Sequence, residues 1–115
     1  MHEVSLMQDI LAACEKVARE NGQTRITKIS LIIGELTEVQ DFALEFAFEA
    51  LTSESMAAGA ELDVTYLAPE SRCKVCEHTY QHDRFTMLCP QCGSFEVELL
   101  HGRELAIDSI EAEEE

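Results

Sequence analysis

The strongest constraint on this chain is a pair of cysteine knuckles, Cys73-Lys-Val-Cys76 and Cys89-Pro-Gln-Cys92, with twelve residues between them. Two residues between thiols let both sulfurs of one knuckle reach a single ion at about 2.3 Å, and two knuckles complete a tetrahedron. Pro90 and Gly93 suit the tight turn, since Pro fixes φ and Gly accepts the left-handed conformation that follows a knuckle. The spacing predicts a four-thiolate Zn2+ site held by Cys73, Cys76, Cys89 and Cys92. A redox dithiol pair or an iron–sulfur centre is the competing use of such thiols, and a thioredoxin-type reading lacks the βαβ context it needs. Four thiolates leave no open position for water or substrate, so zinc here is expected to hold the fold rather than catalyse. The surrounding stretch offers only Val75, Tyr80, Phe85, Met87, Leu88 and Phe95 for a core. Metal binding must then contribute most of its folding energy. His78 and His82 are expected on the surface of the knuckle and its hairpin, with His78 the one placed to tune or replace a ligand.

Hydrophobic periodicity organises the rest. Residues 6–21 carry Leu6, Met7, Ile10, Leu11, Cys14, Val17 and Ala18 at helical spacing, with Ser5 as expected N-cap, Gln8 as its capping-box partner and Gly22 as the stop. Cys14 reads as a buried small hydrophobe. Residues 24–36 read as a strand burying Ile29, Leu31 and Ile33, with Gly34 marking a bulge or the strand's end. A second helix is predicted over 39–57, capped by Thr37 or Asp41 and anchored in the core, with Val39, Phe42, Phe46 and Ala50 on one stripe and Ala43, Ala47 and Leu51 beside it. Residues 61–67 alternate as a strand with one wet face. Pro69 then opens the cysteine stretch, and two strand-like pieces, 95–100 and 104–110, follow it, with His101 expected in a solvated loop. The order predicts an α+β fold: two helices packed on a small mixed sheet, with a zinc-ribbon-like module inserted before the last strand rejoins that sheet. The domains expected are 1–68 plus 99–115, discontinuous, and a zinc-binding module over 69–98.

Charge narrows the function. Against 8 Lys and Arg stand 23 Asp and Glu, a formal net charge of −15 over 115 residues. Such a surface repels phosphate backbones and anionic headgroups, so neither nucleic acid nor membrane is an expected partner. Four thiolates add four negative charges and one Zn2+ cancels two, so the acidic balance deepens on metal binding. No run approaches the roughly 18 apolar residues of a membrane span, and Met-His-Glu-Val-Ser lacks the basic and apolar regions of a signal peptide. A cytoplasmic location is expected. Exposed strand edges in a small sheet fit a monomer or weak homodimer.

The first residues offer a second metal site. His2 and Glu3 read most simply as a frayed start, yet with Met1 retained, its α-amine, the His2 amide nitrogen and the His2 imidazole close a five- and a six-membered chelate ring around one ion. Three nitrogens in a plane favour a square-planar ion such as Ni(II) or Cu(II). Glu3 supplies a fourth donor through its amide or carboxylate, or else favours the positive end of the first helix or contacts a partner. An open, exposed site of this kind suits handing a metal on.

Met1-His2-Glu3 with Val4-Ser5, Ile33-Gly34-Glu35-Leu36, Phe46-Ala47-Phe48-Glu49 and the two knuckles, taken in order over the whole chain, resemble the HypA/HybF family of nickel metallochaperones. The resemblance implies Ni2+ carried at the N-terminus with His2 as the essential side chain, and structural Zn2+ on the four cysteines. It implies delivery to the large subunit of a [NiFe] hydrogenase, with a maturation GTPase as working partner, and in some organisms supply of urease and its accessory proteins. No enzyme activity is expected, since a redox or hydrolytic enzyme would need a nucleophile with a base near it or an open metal position. One departure stands out: only the first knuckle is followed by a histidine, His78, whereas Gly93 follows Cys92. The competing class is a zinc-ribbon interaction or transcription module with an inert N-terminus. That class calls for a basic stripe, but Arg72, Lys74 and Arg84 are interspersed with Glu70, Glu77 and Asp83.

Overall fold

The computed structural model describes residues 2–114. Its elements are α1 (Glu3–Glu20), β1 (Arg25–Gly34), a 3-10 turn (Glu35–Thr37), α2 (Asp41–Thr52), β2 (Glu61–Leu67), β3 (Glu70–Cys73), β4 (Thr79–Gln81), β5 (Val97–His101) and β6 (Leu105–Glu113). One three-stranded sheet runs β2-β1-β6 and a second runs β4-β3-β5. The expected class, two helices on a small mixed sheet with a cysteine module inserted before the last strand, is the architecture found; the last strand does return beside β1.

The chain divides into two compact units. The first comprises the chain up to Leu31, Val39–Thr65 and the chain from Ala106; the second comprises Ile32–Glu38 and Tyr66–Leu105. In the first unit, α1 buries Met7, Ile10, Leu11, Cys14 and Ala18, β1 buries Ile26, Ile29 and Leu31, and α2 buries Leu44, Ala47 and Phe48. Gly22 stops α1 as expected. At φ 72° it lets Gly22 N–H reach Arg19 O at 3.0 Å and Gln23 N–H reach Ala18 O at 2.9 Å, which satisfies two end carbonyls.

The start of α1 differs from expectation. The helix begins at Glu3, its N-cap is His2, and no side chain caps it. Ser5 therefore lies inside the first turn and the Ser5–Gln8 capping box is not formed. A second correction concerns α2, which runs only over Asp41–Thr52, with Gln40 as N-cap in place of Thr37 or Asp41. Its stripe of Phe42 and Phe46 faces water at 74% and 72% exposure. Apolar residues surround most of this helix, so periodicity alone allows two stripes; the one that also excludes Glu45 and Glu49 from the interior is Leu44, Ala47, Phe48 and Thr52. Buried Thr52 spends its hydroxyl on Phe48 O at 2.7 Å.

In the second unit β3 is the central strand, antiparallel to both neighbours, with Ser71 opposite Tyr80 and Leu99. Gly34 ends β1, and the reason is close approach: a Cβ there would overlap the backbone of Gly102 and Arg103. Gly34 N–H donates to Glu104 O and Leu36 N–H to Gly102 O, each at 2.8 Å. Two glycines thus let two backbones meet at the end of the strand.

Candidate metal centres

The cysteine cluster forms as the spacing predicts. Its four sulfurs all lie within 4.8 Å of one another, with Cys73 and Cys92 3.5 Å apart and Cys76 and Cys89 3.6 Å apart. A tetrahedron with metal–sulfur bonds of about 2.3 Å has edges of roughly 3.8 Å, so this donor set fits Zn2+. All four are free thiols, Cys73 and Cys89 buried and Cys76 and Cys92 exposed.

Backbone geometry holds each knuckle in the same way. Val75 and Cys76 amides point at Cys73 Sγ at 3.4 and 3.5 Å, and Glu77 N–H closes the turn on Cys73 O at 2.9 Å, as Gly93 N–H does on Cys89 O at 2.8 Å. Gly93 takes the left-handed φ of 76° that the sequence suggests. Its counterpart in the first knuckle is Glu77, at φ 65°. Sequence reasoning missed this residue, although the repeat of the two knuckles points to it.

Amides aimed at sulfur lower a thiol pKa, and crowding with other thiols raises one. The Cys76 and Val75 amides outweigh burial at Cys73 and bring it to about 6. At Cys92 the Ser94 amide is overridden by the hydrogen bond with Cys73, by burial and by the other thiols, which push it up to about 12. The four thiols are therefore inequivalent, Cys73 and Cys89 lowered and Cys76 and Cys92 raised.

The module's buried apolar cluster is Cys73, Tyr80 and Cys89, with Val97 packed against them, so two of the three residues in that cluster are expected ligands. Tyr80 O–H donates to Met87 O at 2.7 Å. Around this core the histidines have structural duties. His78 stacks on Tyr80 with ring centroids 5.9 Å apart. His82 is bonded through its ring nitrogens to the Ser71 hydroxyl and to Asp83 O, each at 2.7 Å. His101 ends β5 rather than sitting in a loop, and its ring lies 3.1 Å from Glu104 and 3.8 Å from Glu70. Arg84 reaches Glu38 at 2.7 Å and Glu35 O at 3.4 Å, holding the loop after β4 to the 3-10 turn.

At the other candidate centre, His2 is exposed and sits at the N-cap of α1 with φ −89° and ψ 95°. Its carbonyl accepts Leu6 N–H at 3.0 Å, which fixes the backbone, while its imidazole makes no capping bond. Glu3 follows, and its carboxylate accepts the Gln40 N–H at 3.2 Å. That bond, with Glu3's own amide, holds its pKa below the ordinary 4.5. No local signal could reveal this partner, which lies 37 residues away. Met1, whose α-amine is the remaining expected donor, lies outside the described residues.

Comparisons with known proteins point to one family. The sequence profile of a family described as hydrogenase/urease nickel incorporation, metallochaperone, hypA matches residues 1–112. A hydrogenase maturation factor HypA from Dehalococcoides mccartyi strain 195 is 33% identical over 115 residues, covering 100% of this chain and 97% of that protein. Another, from Francisella philomiragia, is 36% identical over 110 residues, covering 96% and 97%. The solution structure of the Ni metallochaperone HypA from Helicobacter pylori superposes with a TM-score of 0.69 at 29% identity, covering 100% of both chains.

Proposed function

This chain belongs to the HypA family of nickel-incorporation metallochaperones, and from that premise we propose that it binds Ni(II) at its N-terminus and delivers it during maturation of [NiFe] hydrogenase. The observation that carries this reading is the state of His2: an exposed imidazole with no capping duty, on a backbone held at the start of a helix. The first amides of a helix have no acceptor in a preceding turn, so the His2 nitrogen is available to a metal, and the Glu3 nitrogen becomes so by giving up its bond to Glu3's own carboxylate. The Met1 amine, the His2 amide and the His2 imidazole would then supply three nitrogens in a plane. Glu3 would complete the set through its amide while its carboxylate, bonded to Gln40, fastens the arm. Loss of an amide proton makes such binding stronger as pH rises. The site is open on one side, so a receiving ligand can replace its donors one at a time.

In this reading Cys73, Cys76, Cys89 and Cys92 hold Zn2+ as a permanent structural ion and take no part in carrying nickel. Nickel handling belongs to residues 1–68 with 99–115, and zinc to 69–98. The working partners are the maturation GTPase and the hydrogenase large subunit, with urease accessory proteins as further recipients where that enzyme is present. No catalytic step is required, because transfer is ligand exchange in the reducing cytoplasm.

Nickel titration of the wild type against His2→Ala tests the proposal. One Ni(II) per chain is expected for the wild type, with affinity lowered at least about tenfold in the variant and zinc content unaltered. Equal affinity in the two proteins would remove the N-terminal site.

A further inference from the structure

The outward face of α2 has no role in either metal centre. Phe42 and Phe46 lie four residues apart, hence side by side, and both are largely exposed. Exposed Glu45 and Glu49 share that face. Beside them an open hollow of about 230 Å³ is lined by Glu45, Glu49, Phe48, Ala60 and Leu62. Bare aromatic rings flanked by carboxylates on a helix whose other side is seated in the core mark an interaction surface more than a solvated one.

Charge says what covers it. No Lys, Arg or His occurs between residues 29 and 71, whereas acidic residues recur throughout that stretch. A second copy of the same face would oppose like charges, and anionic lipid or nucleic acid would be repelled. We propose that this face docks a protein partner that presents basic side chains among aliphatic ones. A Lys or Arg of the partner enters the hollow between Glu45 and Glu49, its stem lying along Phe48 and Leu62, while aliphatic groups cover Phe42 and Phe46. The bond from the Gln40 amide to Glu3 fastens the N-terminal arm one residue before α2 begins, and Phe42 stands in the first turn. A docked partner is therefore held at the end of α2 that carries His2. The last step rests on the nickel reading above; the docking face itself does not.

Two double variants test it, Phe42→Ser with Phe46→Ser and Glu45→Lys with Glu49→Lys. Their side chains are exposed, and circular dichroism should match the wild type. Calorimetric binding is measured against the maturation GTPase and against the hydrogenase large subunit at low and high salt. Each variant should weaken at least one of these complexes by about tenfold or more, and the charge-reversed one should also lose its salt dependence. Nickel stoichiometry should stay at the wild-type value. Wild-type affinity for both proteins in both variants would overturn the proposal, as would a wild type that binds neither. Sedimentation in which Phe42→Ser with Phe46→Ser turns a dimer into a monomer would assign the face to a second copy. Binding to phosphatidylglycerol vesicles that the same variant abolishes would assign it to lipid. His2→Ala separates the two readings: docking unchanged with nickel affinity also unchanged removes the nickel site and leaves the face.

Discussion

At the scale of single residues, the positions that matter most are those where backbone geometry admits one kind of side chain. Gly34 is such a place, because any Cβ would meet the Gly102 backbone, which cannot move aside as a flexible side chain would. Gly34→Ala should cost about 3 kcal/mol in chemical denaturation. Gly93 is constrained differently: nothing lies near its Cβ position, so only its left-handed φ of 76° is at stake. Gly93→Ala should cost about 1 kcal/mol, and equal losses at the two glycines would contradict this distinction. Glu3 offers a third case. Its depressed pKa means that its bond to Gln40 contributes stability above the ordinary 4.5 and loses it as pH falls through the folded-state value. Glu3→Ala should make the Gln40 amide exchange with solvent roughly tenfold faster at neutral pH, while Glu3→Gln, which keeps an acceptor, should protect it. The sequence marked Glu3 as important and left its role open. The hydrogen bond adds a structural role that a neighbour 37 positions away had concealed.

At the scale of elements, the β4-β3-β5 sheet should depend on metal for a reason visible in its interior, where two of the three residues in the buried apolar cluster are thiols. Removing zinc with a chelator should abolish the near-ultraviolet signal of Tyr80 and the dispersion of the Val97 methyls, with the helical signal of α1 and α2 retained. A module that keeps both after complete zinc loss would refute the structural role. The thiol pKa values set the pH dependence. With Cys73 near 6 and Cys92 near 12, zinc must displace protons at neutral pH. Affinity measured by chelator competition should fall steadily from about pH 8 to 5, most steeply once Cys73 is protonated too. The knuckles were legible because their chemistry is local: four thiols at fixed spacing allow few other arrangements. The direction in which α2 faces was not, since apolar residues at two phases of one helix satisfy the same periodicity. Glu45 and Glu49 held the answer, because burying either would strand a charge in the core.

For the whole molecule, the net charge of −15 deepens when zinc binds as thiolate, so association with a basic partner should weaken as ionic strength rises. Calorimetry across a salt series with the maturation GTPase checks this, and a flat response would count against a steering role for the acidic field. Composition and pattern alone determined the order of elements, the four-thiolate centre, the candidate histidine at the start of the chain and the resemblance to the family. These follow from short-range rules, in which spacing, periodicity and donor chemistry act within a few residues. Only the tertiary structure decided what Glu3 holds, why residues 34 and 102 must be glycine, that His82 is tied to Ser71, and that Phe42 and Phe46 are left in water. Each of those is a contact, or a missing contact, between segments distant in sequence, and local propensity carries no information about where such segments meet.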